Sequence, residues 1–260
     1  MRIELVTLFP EMFTALGEYG VSGRALKNGL VSLGFNNPRD FASDRHRTVD
    51  DKPYGGGPGM LMKTGPLSAA IAAARDRAQQ AGNAVRVAYL SPQGMPLTQA
   101  IVAELAQRPA MVLVCGRYQG VDQRVLDTLI EEEWSLGDFV ISGGELAAMA
   151  LLDAMIRLQP GALGDEDSAD QDSFARGLLH WPEYTRPAEF EGQAVPAVLL
   201  GGDHEAIRRW RLQQSLGVTW HKRPDLLAAI ELDTEQQELL RQYQEEFYKQ
   251  SSRHEPGKRE

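Results

Sequence analysis

The sequence predicts an α/β fold with a largely parallel sheet, followed by a smaller, mainly helical region. Three observations predict it. Short apolar runs rich in Val, Ile and Leu recur at 2–9 (RIELVTLF), 85–90 (VRVAYL) and 110–115 (AMVLVC), the pattern of strands buried on both faces. Helix-period segments lie between them, and strand–helix–strand alternation means a parallel sheet. After Pro160-Gly161 the chain changes character and strand-like runs become rare.

The elements follow in order. A fourth, shorter run at 138–142 (DFVIS) reads as another strand. The segment 66–81 opens with Pro66, places Leu67, Ile71 and Ala74 at helical spacing and ends at Gly82, a proline-in, glycine-out helix. The segment 96–107 repeats the design with Pro96, Leu97, Ile101 and Leu105. Val121, Val125 and Leu129 mark a helix over 121–131, and 145–158 is a strongly apolar helix. Five acids in 164–172 (GDEDSADQD) read as a flexible linker. Beyond it, 195–200 (VPAVLL) is the one β-rich run. Helices are expected over 204–215, with Asp203 as N-cap and Gly217 just past the end, over 225–231, and over 235–249, with Thr234 and Gln237 as a capping box. The tail 250–260 reads as disordered.

Composition excludes several classes. Hydrophobic residues make up 43% and charged residues 24% of the 260, so the chain buries a core and is not a coiled coil or a disordered segment. Length fits one large domain or two small ones. Lys and Arg total 27 against 36 Asp and Glu, a net charge of −9; nucleic acid would have to meet a local basic patch. One cysteine, Cys115, excludes a disulfide framework. No apolar run reaches the roughly 18 residues of a membrane span. The start, Met1-Arg2-Ile3-Glu4, does not read as a signal peptide. A cytoplasmic protein with no membrane partner is expected.

The chemistry is expected where strands end. Ser91-Pro92-Gln93-Gly94, Gly116-Arg117-Tyr118-Gln119-Gly120 and Ser142-Gly143-Gly144 follow three of the apolar runs. Each alone is an ordinary tight turn. Three together point to a ligand outside the carboxyl ends of the strands, with glycines letting backbone amides come close. No phosphate-loop or dinucleotide fingerprint is present. The stretch Tyr54-Gly55-Gly56-Gly57-Pro58-Gly59-Met60 is either a surface loop or one that lies against a flat ligand such as a base. Residues 39–52 carry balanced charges and read as a solvated face. Arg208, Arg209 and Arg211 around Trp210, with Trp220-His221-Lys222-Arg223, suit phosphate binding and base packing, or equally a core whose arginines reach outward. Cys115 closes a very apolar strand and reads as a small buried hydrophobe. The five histidines show no metal-ligand spacing, and no G-x-S-x-G elbow exists.

Six segments resemble the bacterial TrmD family, the tRNA (guanine-N1)-methyltransferases of the SPOUT superfamily: 44–62 (DRHRTVDDKPYGGGPGMLM), 89–94 (YLSPQG), 115–120 (CGRYQG), 133–145 (EWSLGDFVISGGE), 172–179 (DSFARGLL) and 208–217 (RRWRLQQSLG). The likeness runs in the same order from residue 1 to about residue 240. It implies a SPOUT-type parallel sheet domain with a deep trefoil knot over 1–163, an acidic linker over 164–175 and a helical tRNA-binding domain over 176–260. It also implies a homodimer whose active sites are shared between chains. The activity implied is S-adenosylmethionine (SAM)-dependent methylation of N1 of guanosine 37 of tRNA, in support of reading-frame maintenance. Carried over by position, Asp172 is the general base and Arg157 the catalytic arginine. The SAM cradle is Tyr89, Leu90, Ser91, Pro92 and Gly94; Gly116, Tyr118 and Gly120; and Leu136, Gly137, Asp138, Phe139, Val140, Ile141, Gly143 and Gly144. Asp50, Gly55, Pro58, Gly59 and Ser173 resemble parts that hold the substrate, and Arg208, Arg209 and Arg211 are expected on tRNA. Gln119 departs from the family's usual Glu, and His180-Trp181 from a common Asp-Cys pair. The sequence offers no metal-ligand set and leaves Mg2+ open as an additional ion. The rival readings are another SPOUT enzyme, which would lack the Asp172-Ser173-Phe174 segment, and a non-catalytic RNA-binding regulator.

Overall fold

In the computed structural model, residues 1–82, 84–164, 169 and 171–253 are described. The chain divides into two compact units, Met1–Glu166 and Asp167–Glu260. The flexible-linker reading of 164–172 falls mostly outside the described residues. Of the tail 250–260, expected to be disordered, residues 250–253 continue the last helix and the rest lies outside the described residues.

The first unit contains, in chain order, β1 (Arg2–Val6), α1 (Thr14–Glu18), α2 (Gly20–Lys27), β2 (Ser32–Asn36), β3 (Asp50–Asp51), β4 (Leu61–Met62), α3 (Thr64–Gln79), β5 (Arg86–Pro96), α4 (Gln99–Ala106), β6 (Ala110–Cys115), α5 (Gln123–Leu129), β7 (Glu132–Ser135) and α6 (Gly144–Ile156). Five strands form one parallel sheet in the order β2-β1-β6-β5-β7. Every residue of β6 is buried. Met111, Leu113 and Cys115 join a core with α4 and α6, while Val112 and Val114 join a second core with α3 and α5. Both faces are covered, so β6 reads as an unbroken apolar run.

Two strands have no such signature. β2 is an edge strand (SLGFN) whose Gly34 lies against the buried Glu4 carboxylate. Glu4 is held there by Arg2 Nε at 2.9 Å and Asn36 Nδ2 at 2.8 Å. β7 is the other edge and its sequence is EEWS. Glu132 accepts from Arg108 at 2.7 Å and Arg86 at 3.2 Å, and Glu131 accepts from the Val87 amide and pairs with Arg75. Acids belong on this strand because arginines of neighbouring elements meet them.

The strand expected at 138–142 does not form. That run is the connection from β7 to α6, and Val140 is 85% exposed; its apolar residues face a cavity or solvent, not a core. Pro96 ends β5 instead of opening a helix, because β5 continues past an irregularity between Leu90 and Met95 to pair with β7. α4 starts at Gln99, with the Thr98 hydroxyl accepting from the Ile101 amide.

The second unit holds a two-strand hairpin, β8 (Glu189–Phe190) and β9 (Gln193–Ala194), then α7 (Ala197–Leu200), α8 (His204–Lys222), α9 (Pro224–Ala228) and α10 (Thr234–Arg253). The run 195–200 therefore carries a helical turn, not a strand. Asp203 caps α8 as expected, accepting from the Glu205 and Ala206 amides. α8 does not stop before Gly217: the glycine is buried inside it, where a Cβ would enter the Tyr243 ring on α10. It marks a close helix crossing rather than an end. The capping box of α10 is one residue earlier than expected. Asp233 accepts from the Gln236 amide at 2.8 Å and Gln236 Oε1 from the Asp233 amide at 3.0 Å.

Candidate active site

A cavity of about 260 Å³ opens at the carboxyl ends of β6 and β7 and beside Tyr89–Pro92, where β5 turns irregular, the edge at which open parallel sheets bind ligands. Its walls are the residues after Leu90, the Gly116–Gly120 loop and the Leu136–Gly143 connection, closed by the first turn of α6. Of the expected cradle, Tyr89, Leu90, Ser91, Pro92, Gly116, Tyr118, Gly120, Leu136, Gly137, Phe139, Val140, Ile141, Gly143 and Gly144 line it; Gly94 and Asp138 do not. Gly94 has another role: a Cβ there would lie 2.5 Å from the Glu133 carbonyl carbon and the Trp134 nitrogen, so it lets β5 run against β7.

Glycine backbone forms much of the wall for a physical reason. A Cβ at Gly116 would stand 2.5 Å from the Tyr89 hydroxyl, and one at Gly144 would stand 2.7 Å from Cys115 Cα. The Gly144 amide donates to the Gly116 carbonyl at 2.9 Å, so α6 begins directly on the loop that leaves β6. Burial, reinforced by Glu133, pushes the Tyr89 phenol up to about 12, leaving it a neutral hydroxyl at any working pH.

The Gly116–Gly120 loop is also joined to the glycine-rich segment. The Gln119 amide donates to the Met60 carbonyl at 2.9 Å and the Met62 amide to the Gly120 carbonyl at 3.0 Å. Met62 and Val121 form a parallel bridge, and the Gln119 side chain lies over Gly59 where a Cβ would otherwise be. Tyr118 adopts φ 62°, with Asp50 and Arg39 near its phenol; burial and then the Asp50 charge raise its pKa. Asp50 and the Gly55–Gly59 loop therefore sit beside the cavity's second wall. Gly55, Gly56, Gly57 and Gly59 all have positive φ, which glycine tolerates.

Sequence reasoning does not pick out Trp134, Ser135 and Ala147, yet they line the cavity, as do Arg117, Gln119 and Ser142 from the loops it does pick out. It also misses Glu145, whose buried carboxylate pairs with Arg117 at 2.8 Å. Arg117 and Glu145 both stand in motif segments, but their pairing becomes visible only once β6 and α6 are adjacent.

Arg157 follows α6 and donates its amide to the Asp153 carbonyl. In the second unit, one Asp172 carboxylate oxygen is shielded from solvent, and Ser173 Oγ accepts from the His180 amide at 3.0 Å. Arg208 is held by Glu205 and Glu235, and Arg209 by Glu235 at 2.7 Å. Arg211 lies 5.0 Å over the Trp181 ring. Trp220 packs edge-on against Phe247 and Tyr248.

Cys115 is fully buried, and burial followed by the Glu145 charge raises its thiol well above the ordinary value. A thiol so placed is unreactive. We expect thiol reagents to leave the native protein unlabelled and to modify one residue after denaturation; rapid native labelling would contradict this burial. Among the described residues no group of three His, Cys, Asp or Glu side chains could hold a metal ion, and no helix is long and apolar enough to cross a membrane.

A parallel α/β sheet with a glycine-walled cavity at its carboxyl end is the architecture in which open α/β proteins hold small ligands. Residues 1–229 match the family described as tRNA (Guanine-1)-methyltransferase TrmD. Relatives called tRNA (guanine-N(1)-)-methyltransferase include those of Sodalis glossinidius, 58% identical over 95% of this chain and 97% of its own, and Cronobacter sakazakii, 58% identical over 98% of both chains. That of Serratia proteamaculans is 59% identical over 95% of both. The chain belongs to the TrmD family of methyltransferases.

Proposed function

We propose that this protein methylates N1 of the guanosine at position 37 of tRNA, next to the anticodon, with SAM as donor, and so supports reading-frame maintenance. The observation that carries the reading is the three-walled cavity in a chain that matches the family over residues 1–229. The donor chemistry fits: bare glycine backbone admits a ligand at close range, aromatic and aliphatic side chains offer apolar walls, and Tyr89 supplies a neutral hydroxyl. SAM, when bound, supplies an electrophilic methyl group. Tyr89, Leu90, Gly116, Tyr118, Gly120 and the Leu136–Ile141 segment hold it, with Gly143 and Gly144.

Guanine N1 carries a proton and is a poor nucleophile until the proton leaves. Asp172 takes it as general base. Negative charge then gathers on guanine O6, and the Arg157 guanidinium offsets it in a water-poor site. Asp50, Gly55, Pro58, Gly59 and Ser173 hold the target nucleoside and its neighbour. Residues 1–163 handle the cofactor, 164–175 act as a linker, and 176–260 recognise tRNA. Family membership supports a trefoil knot in the sheet domain and a homodimer with shared active sites.

Transfer of labelled methyl from SAM to tRNA transcripts with guanosine or adenosine at position 37 tests the function. Label in N1-methylguanosine from the first transcript alone is expected; equal labelling of both, or label on ribose, overturns it. Arg208, Arg209 and Arg211 are proposed to bind tRNA phosphates. Removing a side chain that neutralises one phosphate lowers the slope of log affinity against log salt by roughly one unit. Salt titrations of Arg208→Ala, Arg209→Ala and Arg211→Ala are expected to show that drop with SAM binding intact. Wild-type slopes in all three would move the RNA surface to residues 39–52.

A further inference from the structure

Arg117 joins four parts of the first unit. Its Nε donates to Glu145 Oε2 at 2.8 Å and its Nη1 to the Ser142 carbonyl at 3.3 Å. Its Nη2 lies 3.3 Å from Met12 Sδ, and its guanidinium stands 4.5 Å over the Phe9 ring. Glu145 has a side chain 0% exposed, against 17% for Arg117. Its second oxygen accepts from Thr7 Oγ1 at 2.8 Å, and Thr7 Oγ1 in turn accepts from the Phe9 amide.

These bonds cross the gap between two cavity walls. Arg117 belongs to the loop after β6, whereas Ser142 and Glu145 flank the glycine pair that starts α6. The strand ladders fix none of these loop residues. Gly143 must be bare for the link to form, because a Cβ there would collide with the Arg117 side chain. Arg117 lines the cavity and Glu145 does not, so the pair ties the wall to the buried carboxylate behind it.

We propose that Arg117 and Glu145 are positioning residues for the methyl donor: their hydrogen-bonded contact holds the loop after β6 and the loop before α6 at the separation that SAM requires. The inference rests on the reading of this cavity as the cofactor site. A planar guanidinium can bond Glu145 and the Ser142 carbonyl at once; an ammonium is a point charge with no such fork. Glutamine at 145 can face its oxygen to Arg117 and its amide to Thr7, keeping the bonds without the charge.

The test is calorimetric titration of the full-length protein with SAM, beside steady-state kinetics with both substrates varied. Arg117→Ala is expected to weaken SAM binding and raise its KM by about 10²-fold, the scale of a small misplacement, with the KM for tRNA unchanged and kcat at saturating SAM reduced less. Arg117→Lys should recover part of the loss, and Glu145→Gln most of it; these two milder variants keep the test decisive should Arg117→Ala not fold. SAM affinity within about twofold of wild type in every variant that folds overturns the proposal, as does parallel loss toward SAM and tRNA, the sign of a purely structural pair. Gly116→Val measured alongside separates the two claims: undiminished SAM binding there removes the cofactor from this cavity altogether.

Discussion

Replacing Asp172 with Asn is expected to abolish most turnover while leaving the methyl donor bound. The substitution keeps size and shape and removes only the ability to accept a proton from guanine N1. Positioned proton transfer is worth about 10²–10⁴-fold, so single-turnover methylation of tRNA should slow by that order. The cavity walls lie between Tyr89 and Ala147, so calorimetry should return wild-type SAM affinity. Asp172→Glu keeps a carboxylate but displaces it, and should fall between the two. Activity of Asp172→Asn within a few-fold of wild type would end the base assignment.

Side chains added to the glycine walls are expected to remove cofactor binding, with an order that the structure sets. At Gly144 the obstacle is Cys115 backbone, which cannot turn aside. Gly144→Ala should lift α6 from β6, lose SAM binding and lower stability by about 1–3 kcal/mol, the usual cost of overpacking. At Gly116 the obstacle is the buried Tyr89 ring, so Gly116→Val should lose SAM binding with a smaller fall in melting temperature. Gly55 has φ 82° with open space around it. Gly55→Ala meets only backbone strain and should bind SAM normally, serving as the control. Equal SAM affinity across all three would show that the bare walls do not govern binding.

β1, β5 and β6 are legible in the sequence because burial on both faces keeps them largely apolar; the one acid inside β1, Glu4, is buried against Arg2 and Asn36. β2 and β7 are not, because edge strands answer to particular partners: Gly34 to the Glu4 carboxylate, Glu132 to Arg86 and Arg108. The run Asp138–Ser142 looks like a strand for the opposite reason, since Phe139, Val140 and Ile141 are apolar toward a cavity rather than a core. Gly217 looks like a helix stop, and only the Tyr243 ring, brought across by α10, explains it. The glycine loops of the site can be read locally. Arg117 and Glu145 cannot, because their meaning depends on a pairing across 28 residues.

The seam between Met60–Met62 and Gln119–Val121 has a thermodynamic consequence. Two amide bonds and a bridge make the glycine-rich segment and one wall of the cavity a shared degree of freedom. A ligand that orders either side lowers the conformational entropy left for the other side to lose. If residues 55–59 hold a substrate as proposed, linkage makes the effect reciprocal: the factor by which an occupied cavity would tighten that hold equals the factor by which the substrate would tighten the cavity on its own ligand.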